Sequence, residues 1–266
     1  MAEDSGLSRR QLLAGGLAAV AIAGCSSSAP AARSASDAAS NAATASPTST
    51  TGTAASGPPV TGTGGPATFL RSGPASAEAV ALTFHTNGDP ALCNALFDDA
   101  KRLQAPVTFF IVGTWLHDNA AVAERLLADG HELANHTYTH PSLGDLSAAQ
   151  VADEITKCRD ELAAATGRAS RWFRPSGIDA PTQLMLDEAG KAGYGTVVGY
   201  DIDPLDYQDP GKVAVEDRVA QRLHPGAIVS LHTSHQGTLD AFADIVTAIR
   251  HAGLQPVTVS QLFGVA

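Results

Sequence analysis

The stretch Ala79-Val80-Ala81-Leu82-Thr83-Phe84-His85 is a short apolar run that ends in a histidine. Its length and composition are typical of a buried β-strand. A helical stretch follows from about Pro90, where proline is tolerated in the first turn. A second apolar run, Val107-Thr108-Phe109-Phe110-Ile111-Val112, comes next. The folded part of the chain therefore opens with a strand, a helix and another strand.

The same alternation continues toward the C-terminus. Further strands are predicted at 171–174, 195–200, 227–231 and 255–259, and further helices at 120–128, 147–166, 181–192, 213–223 and 239–252. Apolar strands that alternate with helices predict an α/β fold with a parallel sheet covered by helices. So many units favour a barrel or near-barrel over an open doubly wound sheet. No glycine-rich phosphate loop follows the first strand, which weighs against nucleotide binding.

The first 75 residues are predicted to lie outside this fold. Arg9-Arg10 precede an apolar run and resemble a twin-arginine export signal, and Ile22-Ala23-Gly24-Cys25 resembles a bacterial lipobox. Residues 1–25 are therefore expected to be a lipoprotein signal peptide, with lipid on Cys25. Residues 26–75 contain mainly Ser, Ala, Thr, Gly and Pro, which predicts a disordered tether. The folded domain would span 76–266, exported and anchored to the outer face of the cytoplasmic membrane.

Composition limits the classes of partner. The formal net charge of −10 argues against nucleic acid, and the low aromatic content argues against a base-stacking surface. Apart from Cys25, the cysteines are Cys93 and Cys158, both in helical stretches. An exported location permits a disulfide between them, and two separately buried thiols are equally compatible with the sequence.

A pair of histidines stands out in the stretch Asn135-His136-Thr137-Tyr138-Thr139-His140-Pro141-Ser142-Leu143. On a helical turn, the spacing of four residues would place both imidazoles of His136 and His140 on one side. Neutral imidazole is a good ligand for zinc and similar metals. Taken alone, the pair is also compatible with two unrelated surface histidines in a loop.

Polar residues recur at the ends of the predicted strands. His85, His136, Arg174, Asp203 and His232 each fall at or just beyond the C-terminal end of a strand or short apolar segment. In α/β barrels the catalytic residues are built at that end. We therefore expect these five side chains to meet at one rim.

Four motifs in this order resemble the NodB-homology polysaccharide deacetylases, carbohydrate esterase family 4. They are His136–His140, Arg174-Pro175-Ser176-Gly177, Asp203-Pro204-Leu205-Asp206-Tyr207 and Ile228-Val229-Ser230-Leu231-His232. The resemblance covers about residues 79–263. It implies a distorted (β/α)7 barrel and the removal of acetyl groups from acetylated sugars.

The first motif of the family departs from the usual pattern. Where the family has Thr-Phe-Asp-Asp-Gly-Pro, this chain has Thr83-Phe84-His85-Thr86-Asn87-Gly88-Asp89-Pro90, with a single carboxylate. The resemblance implies a site for Zn²⁺ or another divalent transition metal, with Asp89, His136 and His140 as ligands and His85 in the position of the base. The alternative makes His85 the third ligand and Asp89 the base.

The remaining roles also follow from the resemblance. His232 would donate a proton to the leaving group, Asp206 would raise the pKa of His232, and Arg174 would orient the base. The expected function is a metal-dependent hydrolase that removes acetyl groups from a cell-envelope polysaccharide, with N-acetylated amino sugars as the expected substrate, and acts as a monomer. The alternatives are a catalytically impaired, membrane-tethered carbohydrate-binding protein on the same scaffold and a hydrolase of other C–N bonds.

Overall fold

The computed structural model describes residues 64–265. The predicted signal peptide, Cys25 and most of the predicted tether lie outside the described residues. The strands are β1 Thr68–Leu70, β2 Ala79–Thr86, β3 Thr108–Ile111, β4 Glu132–Asn135, β5 Thr196–Val198, β6 Ile228–His232 and β7 Gln255–Val257. The helices are α1 Pro90–Arg102, α2 Gly113–Asp118, α3 Val122–Ala128, α4 Ala148–Thr166, α5 Gln183–Lys191, α6 Lys212–Ala220, α7 Gln236–His251 and α8 Val259–Leu262.

All strand pairs in the described residues are parallel, as predicted. Four strands follow the order β4-β3-β2-β6, β7 pairs with the beginning of β2, and β1 pairs with β5. Isolated bridges connect these groups: Phe173 bridges both Asn135 and Val197, and Ile202 bridges Val229. The strands therefore follow one another around a distorted α/β barrel, which is the predicted fold class.

The two faces of β2 explain how the barrel is filled. Val80, Leu82 and Phe84 belong to the large apolar core that the strands share with the surrounding helices. Side chains alternate along a strand, so Thr83 and His85 lie on the opposite face, inside the barrel. Both are buried there and both contact Arg174. The interior thus carries polar side chains toward the C-terminal ends of the strands.

The structure differs from the sequence-based prediction at several segments. The tether was expected to extend to residue 75, but Thr68–Leu70 form β1, because their backbone pairs with β5. Residues 171–174 contribute only the bridges of Phe173, and the short β4 and α2 were not expected. Cys93 and Cys158 are separately buried free thiols. Within residues 64–265, no helix has the length and apolar character that crossing a membrane requires.

Candidate active site

The register of two strands brings two of the predicted histidines together. His85 on β2 and His232 on β6 are direct partners in the parallel pairing. Neighbouring strands lie about 4.8 Å apart, and side chains of paired residues share a face. Nδ1 of His85 accordingly lies 2.9 Å from Nε2 of His232, with the two rings nearly perpendicular. The sequence places each histidine at the end of an apolar strand, and the pairing makes them contact.

Asp206 fixes His232 from the other side. Its carboxylate lies 2.8 Å from Nδ1 of His232 and accepts the backbone N–H of the same residue at 2.7 Å. It also accepts the hydroxyl of Thr238 at 2.6 Å and the backbone N–H of Tyr207 at 3.1 Å. Desolvation alone would raise the pKa of Asp206, but the hydrogen bonds from His232 and Thr238 outweigh it and lower the pKa. The buried carboxylate is therefore ionised and keeps a proton on Nδ1 of His232.

Arg174 spans the interior of the barrel. It donates to the backbone carbonyls of Val198 and Gly199 at 2.9 and 2.8 Å and to the hydroxyl of Thr83 at 2.9 Å. The guanidinium also stacks on Phe110, 4.0 Å from the ring centroid. Burial lowers the pKa of Arg174 to about 9, which leaves it charged near neutral pH. The predicted strand does not continue past this residue, because Pro175 follows without an N–H to pair.

These contacts define the direction of a hydrogen-bonded chain. An N–H of Arg174 can only donate, so Nε2 of His85, 3.2 Å away, is the acceptor. The proton of neutral His85 is then on Nδ1 and is donated to Nε2 of His232, whose own Nδ1–H is donated to Asp206. Burial, followed by the neighbouring His136 and His232, holds the pKa of His85 well below its usual value. His85 is therefore neutral, and its Nε2 lone pair is already occupied, which does not favour its predicted role as base.

The loop after β4 brings the second pair of histidines together without a helical turn. The ring centroids of His136 and His140 lie 5.0 Å apart. Residues 136–140 are irregular, and Thr137 and His140 have left-handed φ angles of 69° and 62°. The carboxylate of Glu154 stabilises this loop by accepting the backbone N–H groups of Tyr138 and Thr139 at 2.8 and 2.7 Å. Left-handed non-glycine residues held in this way are typical of functional sites.

His136 has the contacts expected of a metal ligand. Its Nδ1 lies 2.9 Å from the carbonyl oxygen of Arg174, so Nδ1 carries the proton and Nε2 carries a lone pair. Nε2 is buried and has no hydrogen-bond partner. Burial and then the nearby His140 hold the pKa of His136 well below its usual value, which keeps the imidazole neutral. An ordered, neutral imidazole with an unpartnered nitrogen fits a divalent metal.

The predicted third ligand does not join this pair. The carboxylate of Asp89 is exposed and accepts the backbone N–H of Ala91 at 2.9 Å, because Asp89 caps α1, which begins at Pro90. In His85, the alternative ligand, Nε2 contacts Arg174 and Nδ1 contacts His232. Across residues 64–265, no three His, Cys, Asp or Glu side chains form a group that could hold a metal ion. The described residues therefore supply two of the three protein ligands that zinc hydrolases use.

Comparison with known proteins identifies the family. The family model described as "Polysaccharide deacetylase" matches residues 72–197. The chain is also 32% identical over 200 residues to a chitooligosaccharide deacetylase of Bradyrhizobium sp. (strain ANU 289), covering 69% of this chain and 90% of that one. This chain belongs to the polysaccharide deacetylase family. The predicted family, and with it the predicted fold, is confirmed.

Other members of the family differ in length and in activity. The peptidoglycan-N-acetylmuramic acid deacetylase PdaC of Bacillus subtilis is 30% identical over 185 residues, which are 70% of this chain but 38% of PdaC. The chain likewise covers 50% of YlxY of the same organism. A solved structure from Bacillus anthracis, 26% identical with a TM-score of 0.68, covers 73% of this chain and 68% of that chain and is described as a pseudoenzyme of carbohydrate esterase family 4. A mutant of that pseudoenzyme has restored enzymatic activity.

The barrel of this chain brings together most of the side chains that the sequence singled out. Arg174, His85, His232 and Asp206 form one hydrogen-bonded chain, and His136 stacks on His85 with ring centroids 4.1 Å apart. Asp203 does not belong to that chain: its carboxylate accepts the backbone N–H of Leu205 at 2.7 Å. Sequence reasoning missed two supporting residues, Glu154 and Thr238. Both lie within helices, where no motif distinguishes a supporting polar residue from a solvent-exposed one.

Proposed function

We propose that this chain removes acetyl groups from N-acetylated amino sugars of a cell-envelope glycan in a reaction that depends on a divalent metal ion. The observation that carries the proposal is the buried, unpartnered Nε2 of His136 beside the chain of Arg174, His85, His232 and Asp206. A neutral ligand nitrogen and an ordered acid–base group meet at the C-terminal face of the barrel, where this architecture builds its active sites.

His136 and His140 would hold the metal, and water or substrate would complete the coordination. A bound divalent ion supplies a Lewis acid for the acetyl carbonyl and lowers the pKa of a nearby water molecule. The metal dependence is supported by the donor set. His136 donates its Nδ1–H to the carbonyl of Arg174, and histidines that bind metals usually donate their second ring N–H in this way.

The protein's own residues provide the proton transfer. Nε2 of His232 is the basic nitrogen, because Nδ1–H is donated to Asp206. Once substrate displaces the hydrogen bond from His85, this nitrogen would take the proton of the attacking water molecule as the water oxygen bonds to the acetyl carbon, and the buried carboxylate would stabilise the imidazolium. The same proton would then pass to the amine nitrogen as the C–N bond breaks, which releases acetate and the free amine. The hydrogen bond from Arg174 keeps His85 oriented throughout.

The experiment measures acetate release from a short N-acetylglucosamine oligomer together with bound metal. Wild-type protein is expected to release acetate, to lose this activity with a chelator and to regain it with Zn²⁺. His136→Ala is expected to abolish both metal binding and acetate release. His117→Ala is the matched control, because that imidazole is 66% exposed and its Nδ1 lies 3.2 Å from the carboxylate of Glu161. Chelator-resistant acetate release, or full activity of His136→Ala, would contradict the proposal.

One observation favours a second candidate, a carbohydrate-binding protein with impaired catalysis. No third ligand joins the two histidines in the described part of the chain. The Bacillus anthracis protein with a similar structure is described as a pseudoenzyme. This candidate predicts that the oligomer binds while acetate is not released, even with excess metal. The same assay therefore separates the two functions.

We also propose that the protein acts outside the cytoplasm as a monomer, held at the membrane by lipid on Cys25. The support is the order of the arginine pair, the apolar run and the lipobox-like segment in the sequence. Cys25→Ser is expected to move the protein from the membrane fraction to the soluble exported fraction. Retention of the variant in the membrane fraction would refute the lipid anchor, and size-exclusion chromatography of residues 26–266 tests the oligomeric state.

A further inference from the structure

A second histidine–aspartate pair lies beside the first one. Nδ1 of His235 is 2.8 Å from the carboxylate of Asp209, and its ring centroid is 5.8 Å from that of His232. Asp209 follows Asp206 by three residues, and His235 follows His232 by three residues. The same two segments therefore provide two neighbouring pairs, although the four motifs quoted above include only the first pair.

The backbone around the second pair is constrained. Leu205 and Asp209, which flank a 3-10 turn, have left-handed φ angles of 54° and 52°. The two loops also approach closely, since a Cβ added at Gly237 would lie 3.3 Å from Cα of Gly211. Left-handed non-glycine residues cost free energy and persist where the surrounding structure enforces them. Asp209 is thus held at the position from which it reaches His235.

The two pairs differ in what their Nε2 atoms contact. Nε2 of His232 is occupied by His85. Among residues 64–265, no hydrogen-bond partner contacts Nε2 of His235, and the side chain is 23% exposed. Since the carboxylate of Asp209 keeps the proton on Nδ1, Nε2 of His235 carries a lone pair and can accept a hydrogen bond. The second pair therefore offers an oriented acceptor to solvent beside the reacting centre.

We propose that His235, oriented by Asp209, is a substrate-positioning residue that accepts a hydrogen bond from a hydroxyl group of the sugar whose acetyl group lies at His232. The separation of 5.8 Å between the two rings is short enough for one sugar ring to contact both. Tyr207, which is 46% exposed, lies against His232 with ring centroids 5.4 Å apart and provides an aromatic surface of the kind that sugars pack on. The inference rests on the proposed glycan substrate.

The test measures the Kd of an N-acetylglucosamine tetramer by calorimetry in the presence of a chelator, together with KM and kcat when metal is restored. His235→Ala is expected to raise Kd and KM about tenfold, because a missing hydrogen bond of about 1.4 kcal/mol corresponds to that factor. His235→Gln, whose amide oxygen can replace Nε2 as acceptor, is expected to recover most of the affinity. Asp209→Asn is expected to weaken binding, since an amide can also donate to Nδ1 of His235 and therefore no longer keeps the proton on that nitrogen.

His224→Ala is the matched control. His224 also pairs with an aspartate, with Nε2 2.9 Å from Asp201, but it precedes β6 and therefore lies at the opposite end of the barrel. This variant should bind the tetramer as wild-type protein does. Unchanged Kd in His235→Ala, equal loss in His235→Ala and His235→Gln, or no binding by wild-type protein would overturn the inference. Binding without acetate release would refute the proposed catalysis while leaving this subsite intact.

Discussion

Replacing Asp206 by asparagine should destabilise the fold because four donors converge on one buried carboxylate. One oxygen accepts Nδ1–H of His232 and the backbone N–H of Tyr207, and the other accepts the backbone N–H of His232 and the hydroxyl of Thr238. In Asp206→Asn an NH₂ group replaces one oxygen, so at least one backbone N–H faces another donor. An orphaned buried donor costs roughly 1–3 kcal/mol, and the remaining bonds lose their charge assistance.

The expected net loss is about 3 kcal/mol in the free energy of unfolding, after allowing for the easier burial of a neutral amide. For a domain of this size that corresponds to a fall in Tm of about 6–12 °C. The difference should depend on pH. The folded-state pKa of Asp206 is lowered, so its stabilisation is complete above the unfolded pKa of about 3.9 and is lost as pH falls through the folded pKa.

Urea denaturation of the wild-type and variant proteins, at pH 7 and at successively lower pH values, measures both effects. Asp209→Asn is the control, because this carboxylate is 72% exposed and its side chain accepts one hydrogen bond, from His235. It should change the free energy of unfolding by no more than about 0.5 kcal/mol. A loss below about 1 kcal/mol for Asp206→Asn at pH 7, or a difference that widens in acid, would refute the reasoning.

Three further predictions concern other parts of the fold. Arg174→Met should lower the free energy of unfolding by at least about 3 kcal/mol in urea denaturation, because it leaves buried acceptors without donors, and Arg174→Lys should recover less than half of that loss. Gly190→Ala should lower Tm clearly, since a Cβ there would lie 1.9 Å from the carbonyl oxygen of Gly65, whereas Gly144→Ala, with its nearest contact at 3.9 Å, should not. Cys158, whose pKa burial raises to about 12, should react with a thiol reagent only after unfolding.

The fold was largely predictable because its central strands are apolar and its helices begin and end with recognisable residues. The predicted strand at 79–85 corresponds to β2. Helix α4 begins after Ser147, which forms a capping box, and ends at Gly167, which adopts a left-handed cap conformation. Short strands were not predictable from local sequence. Thr68–Leu70 and Glu132–Asn135 are strands only because a neighbouring strand supplies their hydrogen-bond partners.

The sequence predicted that several of these side chains lie near one another, but it did not predict their contacts. The position of His85 and His232 at strand ends predicted one rim, but their direct hydrogen bond depends on strand register, which the sequence does not state. His136 and His140 meet through a loop with two left-handed residues, whereas the spacing suggested a helical turn. For Asp89, the local signal was present: an aspartate before a proline is a helix N-cap pattern, and capping competes with turning inward to a metal.

The imidazole at position 85 has two separable consequences. As a hydrogen-bond acceptor it preserves the contact that Arg174 makes inside the barrel, so the interior remains packed and polar groups remain satisfied. As a neutral group it lacks the negative charge that a carboxylate at this position would place on the side of the site that faces His136 and His140. In the described residues, the hydrogen-bond partners of the Arg174 guanidinium are all neutral groups, so a divalent cation nearby would add charge next to an arginine without a carboxylate partner among those bonds. For the metal site proposed at His136 and His140, metal affinity should therefore be more sensitive to added negative charge near His85 than stability is.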